Sequence, residues 1–455
     1  MSEARATVLI LVWNGRRFLE ACLDAVLAQD YANFSVIVVD NGSTDGSPEL
    51  VAAKFPEVRQ IGNDRNLGFA AGNNMGLQAV ADSPQETASD FVVLLNQDTV
   101  VHPGWLASLA RTFSAANVGI VGCKLLYPDG TIQHAGGYLY GPRGETDHID
   151  RHAESTRTST PLARSSDELT DVPFVTGAAL AISRETLKEI GPLDEEFWPA
   201  YYEDVDWCFR AKAAGYRVAY QSEAVVTHHE STATEALSRE RKQALNQGRL
   251  RFLLKHWPLD RLLTEFHPAE LAWVASMDRC GDLMAARRAY LGSLLALPSI
   301  LAFRQSSPDD ADALVGLLTD LRVAAQTSLL SMGSQSSAAE GHVLAAEHRP
   351  AHPLEMLSED QTLQEQPFTS RVPVFGPLIV AFRDLWNSVA TKWYVRPIAQ
   401  QQSLFNAQLV NYLRTVEERL QGHSLDLAEN IDELTILAKY LARGEETDSR
   451  RDSND

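Results

Sequence analysis

Cysteine is scarce in this sequence. Four occur in 455 residues, Cys22, Cys123, Cys208 and Cys280, far apart and never as a C-x-x-C pair. That spacing excludes a zinc ribbon or a dithiol redox motif, and leaves the reduced thiols of a cytosolic chain as the expectation. Positive charge is also short. Forty Lys and Arg against 60 Asp and Glu give a formal net charge of −20 and a pI near 5.0. A general nucleic-acid binder needs a basic face, so that class drops out. An anionic ligand finds no long-range attraction here and needs a bound cation or local amides. No apolar run reaches the ~18 residues of a membrane span. Residues 291–303 are broken by Pro298, and 372–382 by Pro373 and Pro377. The first six residues are short and polar with a strand expected at once, so no secretory leader is expected.

What is present is ordinary for a globular protein: 45% hydrophobic and 22% charged residues. The length suits two or three domains. The first part alternates apolar runs with amphipathic stretches. Strands are predicted over 7–12, 36–39, 58–61, 91–95 and 118–123, and helices over 16–28, 47–54, 69–80 and 103–115. That alternation predicts an α/β fold with a parallel sheet and right-handed crossovers. Residues 141–171 are polar and read as a long loop, either disordered or a functional lid. Beyond it, a helix over 204–214, strands over 216–220 and 224–227 and a helix over 239–256 complete a domain expected to end near residue 265.

The remainder reads as mostly helical: an extension over 266–330, a linker over 331–370, an accessory region over 371–443 and a charged tail over 444–455. In the accessory region Leu409, Leu413, Val416 and Leu420 fall at 4-3-4 spacing, which suits a helical hairpin or bundle. Residues 291–303, flanked by Arg287, Arg288 and Arg304, read either as an amphipathic helix at a membrane surface or as a packed bundle helix.

The strand over 91–95 ends abruptly in Asn96-Gln97-Asp98-Thr99. In open α/β sheets ligands bind outside the carboxyl ends of strands. A carboxylate there can hold a hard cation, and the cation a diphosphate. A second strand ends in Asp40-Asn41-Gly42-Ser43. Asp40 can accept from a base N3–H or a ribose hydroxyl, or can close an Asx-turn or cap a helix. Two carboxylates at two strand ends point to a nucleotide site. Further on, Glu203-Asp204-Val205-Asp206 lies among Phe197, Trp198, Tyr201, Tyr202 and Trp207. The bland reading is an acidic helix start favoured by the helix dipole. The aromatic density points instead to a partly buried pocket, where a carboxyl can be tuned as a general base.

Six segments stand in order: Val12-Trp13-Asn14-Gly15, Val39-Asp40-Asn41-Gly42-Ser43-Thr44-Asp45, the NDRNLGFAAGNN run over 63–74, Asn96-Gln97-Asp98, Glu203-Asp204-Val205-Asp206 before Arg210, and His228-His229. This set resembles the inverting glycosyltransferases of family 2, which have a GT-A fold (a Rossmann-like nucleotide-diphospho-sugar transferase domain), over roughly residues 5–260. The likeness is strongest to the rhamnosyltransferase type of bacterial cell-surface polysaccharide synthesis.

The resemblance implies a role for each matched residue. Asp40 would contact a uracil or thymine flanked by Trp13 and Asn14, with Asn41, Arg65, Asn66 and Gly68 around the nucleotide. Asp98, in an Asn-x-Asp version of the family's Asp-x-Asp, would bind Mn²⁺ or Mg²⁺. His228 would complete the metal shell, with His229 its rival one residue on. Asn96 would touch the metal or the sugar. Asp204 would be the general base with Glu203 beside it, supported by Asp206 and Arg210. Those two would line the sugar and acceptor side with Gly177 and Trp198.

The implied partners are a pyrimidine nucleotide-diphospho-sugar donor, with rhamnose a candidate sugar, and a glycan or lipid-linked acceptor. A helical tail would recruit a partner or a second copy. The expected location is cytoplasmic, with peripheral contact at the inner face of the cell membrane as the variant. Two other readings compete. A sugar nucleotidyltransferase would want a Gly-rich signature and a lysine near the first strand, where this chain has Asn14-Gly15-Arg16-Arg17. A non-catalytic scaffold would have no use for Asp98, Asp204 and His228.

Overall fold

The computed structural model describes residues 3–84, 88–154, 169–229, 239–305 and 307–339. The chain runs β1 (Ala6–Val12), α1 (Arg16–Leu27), β2 (Phe34–Asp40), α2 (Ser47–Lys54), β3 (Arg59–Gly62), α3 (Phe69–Ala81) and β4 (Phe91–Asn96). It continues through β5 (Thr99–Val101), α4 (Trp105–Thr112), β6 (Val118–Leu126), β7 (Ile132–His134), β8 (Gly137–Tyr140), β9 (Glu145–His148), β10 (Thr170–Asp171), β11 (Ala179–Ser183), α5 (Arg184–Ile190), α6 (Glu203–Ala213) and β12 (Arg217–His228). Helices α7 (Arg239–His256), α8 (Leu259–Arg261), α9 (His267–Ala275), α10 (Cys280–Leu295), α11 (Leu297–Arg304) and α12 (Pro308–Ala339) follow, with a π-turn over Leu262–Phe266 joining α8 to α9.

The strands form a ten-stranded sheet among the described residues, in the order β10-β12-β6-β11-β4-β1-β2-β3, with β5 on β12 and β7 on β6. Strand periodicity divides its apolar side chains between two cores. Val8, Ile10, Val38, Val93 and Leu95 face α1, α2 and α4. Leu9, Ile37, Val39, Val92 and Leu94 face α3, α6, α7 and the later helices. Burial on both faces explains why β1 and β4 read as unbroken apolar runs.

The sheet is mixed rather than purely parallel. β11 runs antiparallel to both β4 and β6, with Leu180 opposite Leu94 and Gly122. Its Ala-Leu-Ala-Ile run is buried on both faces, and burial alone carries no direction. The two short strands expected over 216–220 and 224–227 are one strand, β12, whose pairing with β6 shifts register between Gln221 and Val225.

The expected division near residue 265 is also not seen. It falls within the π-turn, where Leu262 and Phe266 are fully buried in the same core as Phe252, Leu253 and Leu283. One compact unit extends from Met1 to Ser337. The extension over 266–330 is bolted on by ions. Glu270, on α9, accepts from Arg143 Nε (2.8 Å), Arg249 Nη2 (2.6 Å) and the Tyr290 hydroxyl (2.8 Å). The run over 291–303 breaks at Ala296 between α10 and α11, and buries Leu297 and Ile300. No helix among the described residues is long and apolar enough to cross a membrane. Most of the linker, the accessory region and the tail lie outside the described residues.

Candidate active site

β1 lies between β2 and β4, with Val12 opposite Asp40 and Leu11 opposite Asn96. The strand ends bearing Asp40 and Asp98 therefore open side by side. β5 begins immediately after Asp98 and pairs with the end of β12, Thr99 opposite His228. That register brings His228 Nε2 to 3.2 Å from Asp98 Oδ1. His229 is turned elsewhere. Its backbone N–H donates to the Asp98 carbonyl (2.8 Å), and its ring lies against Phe18 at 5.5 Å. Of the two histidines, His228 is the one whose ring faces the carboxylate. Among the described residues no group of three His, Cys, Asp or Glu could hold a metal, so Asp98 and His228 stand as a pair.

The nucleotide side is organised by tight turns. The Asp40 carboxylate accepts from the N–H of Ser43, three residues on, at 3.2–3.3 Å. Asn14 accepts from the Thr44 N–H through Oδ1 (2.8 Å), joining the ends of β1 and β2. Trp13 is half exposed (51%). Gln97 clamps its backbone on both sides, accepting from the Trp13 N–H (2.9 Å) and donating to its carbonyl (3.1 Å).

Asn41 departs from its expected nucleotide contact. Its amide nitrogen donates to Asn66 Oδ1 and the Gly68 carbonyl, and its oxygen accepts from Asn63 and the Leu67 N–H. All four of its hydrogen-bonding positions are used inside the protein. Asn41 thus shapes the 63–68 loop. Arg65 and Asn66 remain exposed on that loop. Gly68 takes φ +87°, and a Cβ there would lie 2.8 Å from Trp198 Cδ1 and 2.9 Å from the Pro199 carbonyl. The Phe69 N–H donates to that same carbonyl at 2.8 Å.

Asp204 is tied to the strand end that bears Asn96 by the residues leading into β11. The Asn96 N–H donates to the Ala178 carbonyl (2.9 Å), and the Gly177 N–H donates to Asp204 Oδ2 (2.8 Å). The Val205 N–H holds the other Asp204 oxygen at 2.8 Å. Burial pushes the Asp204 carboxyl up from its ordinary value, against the lowering effect of those two amides. Glu203 is only 5% exposed, and its Oε2 has no partner. Burial first, then the neighbouring Asp204 charge, raises the Glu203 carboxyl well above the usual range. Trp198, half exposed, lies against Gly68.

Residues two apart on a helix differ by about 200°, so Asp204 and Asp206 leave α6 on opposite faces. Asp206 is fully buried and contacts Arg210 Nε (2.8 Å), Lys255 Nζ (2.6 Å) and His256 Nε2 (2.8 Å). Arg210 spends its other nitrogens on the Ile190 and Pro192 carbonyls. The expected place of Asp206 and Arg210 on the sugar side is therefore corrected: both point inward and brace α6. Burial would raise the Asp206 carboxyl, but His256, Lys255 and Arg210 outweigh it and hold the group well below the carboxylate range.

Four polar residues escaped the sequence reading. Gln97 sits inside the Asn-x-Asp signature, where the flanking residues drew the attention. Gln133 and His134 lie on β7 with their polar side chains only 2% and 0% exposed, and nothing in the local sequence marks them. Gln133 Oε1 is 2.7 Å from His228 Nδ1, and its carbonyl is 3.1 Å from His148 Nδ1. His134 packs edge-on against His148 at 4.6 Å, and its Nδ1 has no partner. Burial holds the His134 imidazole well below its ordinary value. His148 sits in the polar stretch read as a loop, which instead begins with the β8–β9 hairpin.

The chain is 31% identical over 268 residues to the uncharacterized protein y4gI of Sinorhizobium fredii, covering 55% of this chain and 27% of that one. It is 31% identical over 222 residues to the O-antigen biosynthesis protein RfbC of Myxococcus xanthus, covering 48% and 17%. The match thus spans about a quarter or less of those two relatives. To the N-acetylglucosaminyl-diphospho-decaprenol L-rhamnosyltransferase of Mycobacterium tuberculosis it is 26% identical over 246 residues, covering 50% and 76%. Among solved structures it is similar to GalNAc-T7 with UDP, GalNAc and Mn²⁺, at 14% identity and a TM-score of 0.45, covering 74% of this chain and 58% of that one. Residues 4–246, more than half of the chain, match the family described as glycosyltransferase like family 2, and the chain belongs to that family.

Proposed function

We propose that this chain is a metal-dependent inverting glycosyltransferase that moves a sugar from a pyrimidine nucleotide-diphospho-sugar to a glycan or lipid-linked acceptor in cell-surface polysaccharide synthesis. One observation carries the reading. The Asp98–His228 pair and the Asp204 carboxylate lie at two ends of one short path, through the Asn96–Ala178 and Gly177–Asp204 hydrogen bonds. Inverting transfer asks for such a division, a cation beside the leaving diphosphate and one base on the other side of the sugar.

Asp98 Oδ1 and His228 Nε2 fit a divalent cation as two donors, one hard oxygen and one imidazole. Diphosphate oxygens and water would supply the rest. The cation, when bound, offsets the charge that develops on the leaving diphosphate. Asp40 keeps acceptor capacity beyond Ser43 for a pyrimidine N3–H, and Trp13 offers its exposed face to the base. Asp204 takes the proton of the acceptor hydroxyl. Glu203 is buried, with its carboxyl raised by burial and by the neighbouring Asp204 charge, which disfavours it as an anion beside the base. The M. tuberculosis relative makes rhamnose the first donor sugar to try.

Titration calorimetry with UDP, dTDP, GDP and CDP, each with and without Mn²⁺, tests this. Metal-dependent binding of one pyrimidine diphosphate, abolished in Asp98→Ala, is the expected result. Binding of none of the four would remove the proposal.

A further inference from the structure

Gln133 is remote from any surface a substrate could reach, yet it touches a proposed metal ligand. It sits on β7 against β6, is 2% exposed, and presents its amide oxygen to His228 Nδ1 at 2.7 Å. An amide oxygen only accepts. The Nδ1 atom must therefore carry the hydrogen, and in the neutral ring Nε2 then carries the lone pair. That lone pair faces Asp98 Oδ1 at 3.2 Å. Two acceptors so close repel one another unless something positive stands between them.

We propose that Gln133 is a positioning residue that fixes His228 as the Nδ1–H tautomer, so that its Nε2 lone pair and Asp98 converge on a cation. The inference rests on the functional reading above for the identity of that cation. The Gln133 contact places the hydrogen on Nδ1, and the neutral ring then has its lone pair on Nε2 whatever the cation is. A metal-ligating imidazole is commonly oriented by an acceptor on its other nitrogen, and loss of that acceptor typically lowers metal affinity about 10–100-fold. β7 is a suitable post for this task. It is anchored by pairing with β6, and the next residue, His134, accepts from the Thr176 N–H at 3.4 Å, beside the Gly177 that holds Asp204.

The test uses the full chain labelled with ¹⁵N-histidine, metal-free at pH 8, with His228 assigned by comparison with His228→Asn. Two-bond ¹⁵N–¹H spectra should show Nδ1 protonated and Nε2 bare. The opposite tautomer, with Nε2–H donating to Asp98, would overturn the proposal. Gln133→Leu should lose the tautomer preference and bind Mn²⁺ about 10–100-fold more weakly in the presence of the cognate nucleoside diphosphate. Gln133→Glu keeps an acceptor at the same place and should stay within about threefold of the parent. A Gln133→Leu protein with unchanged tautomer and unchanged Mn²⁺ affinity would also overturn it. If the tautomer depends on Gln133 while the parent protein binds no Mn²⁺, the positioning role stands and the metal reading fails, so the two are told apart.

Discussion

Asp204 and Asp206 are neighbours in sequence but leave α6 on opposite faces, and their amide variants should fail in opposite ways. In Asp206→Asn the buried Lys255 keeps Asp194 at 2.8 Å, and Arg210 keeps two carbonyls. The cost therefore sits at the low end of the ~3–5 kcal/mol for breaking a buried ion pair, about 3 kcal/mol. For a cooperative unit running from Met1 to Ser337, unfolding entropy of about 0.7 kcal/mol/K turns this into a Tm loss of ~4 °C. The sign with pH follows from the depressed carboxyl of Asp206. Its contribution is present above the unfolded value near pH 4 and is lost as pH falls from there toward the folded value. The gap between variant and parent should thus hold at pH 7 and close below about pH 4. Asp204→Asn gives up an acceptor for one backbone N–H and relieves a carboxyl that burial already disfavours. Its stability should stay within about 1 kcal/mol of the parent, while kcat falls about 10²–10⁴-fold with donor binding retained. Calorimetric melting across pH and steady-state transfer assays read both arms. An Asp206→Asn protein melting within 1 °C of the parent at pH 7, or an Asp204→Asn protein with normal turnover, would refute the two-faced reading of the helix.

Three other substitutions follow from the site. Glu203→Gln should raise Tm at pH 7, because a carboxyl raised by burial destabilises the fold increasingly as pH climbs through its unfolded value; the gain should vanish toward pH 4. Gly68→Ala forces a Cβ into a φ of +87° and against Trp198; denaturant titration should register a loss of about 1–3 kcal/mol, and donor KM should rise. Asn41→Leu removes four internal hydrogen bonds, so urea unfolding should show a loss of about 2 kcal/mol and calorimetry a weaker nucleotide.

Much of this was legible in the sequence because burial and strand ends leave plain marks. The runs of β1, β2 and β4 are apolar on both faces, and the polarity change at Asn96 and Asp40 marks the ligand-facing edge. The resemblance to family 2 singled out Asp98, Asp204 and His228. Orientation was the missing part. Nothing in Glu203-Asp204-Val205-Asp206 says which acid meets Gly177 and which meets Lys255; that depends on where α7 docks. Strand direction in β11 was hidden for the same reason. Asn41 looked like a ligand contact because its neighbour Asp40 does; its four partners come from residues more than twenty positions away. Gln133 gives no local cue, since its partner lies 95 residues on.

The reversal of β11 has a chemical consequence. In a purely parallel sheet every strand arrives at the ligand edge by its carboxyl end and brings carbonyl oxygens, which repel a carboxylate. A strand running the other way departs from that edge, and the residues leading into it bring N–H hydrogens instead. Gly177 is such a residue. The direction of one five-residue strand thus gives an otherwise electronegative rim the hydrogen that holds the Asp204 side chain in place.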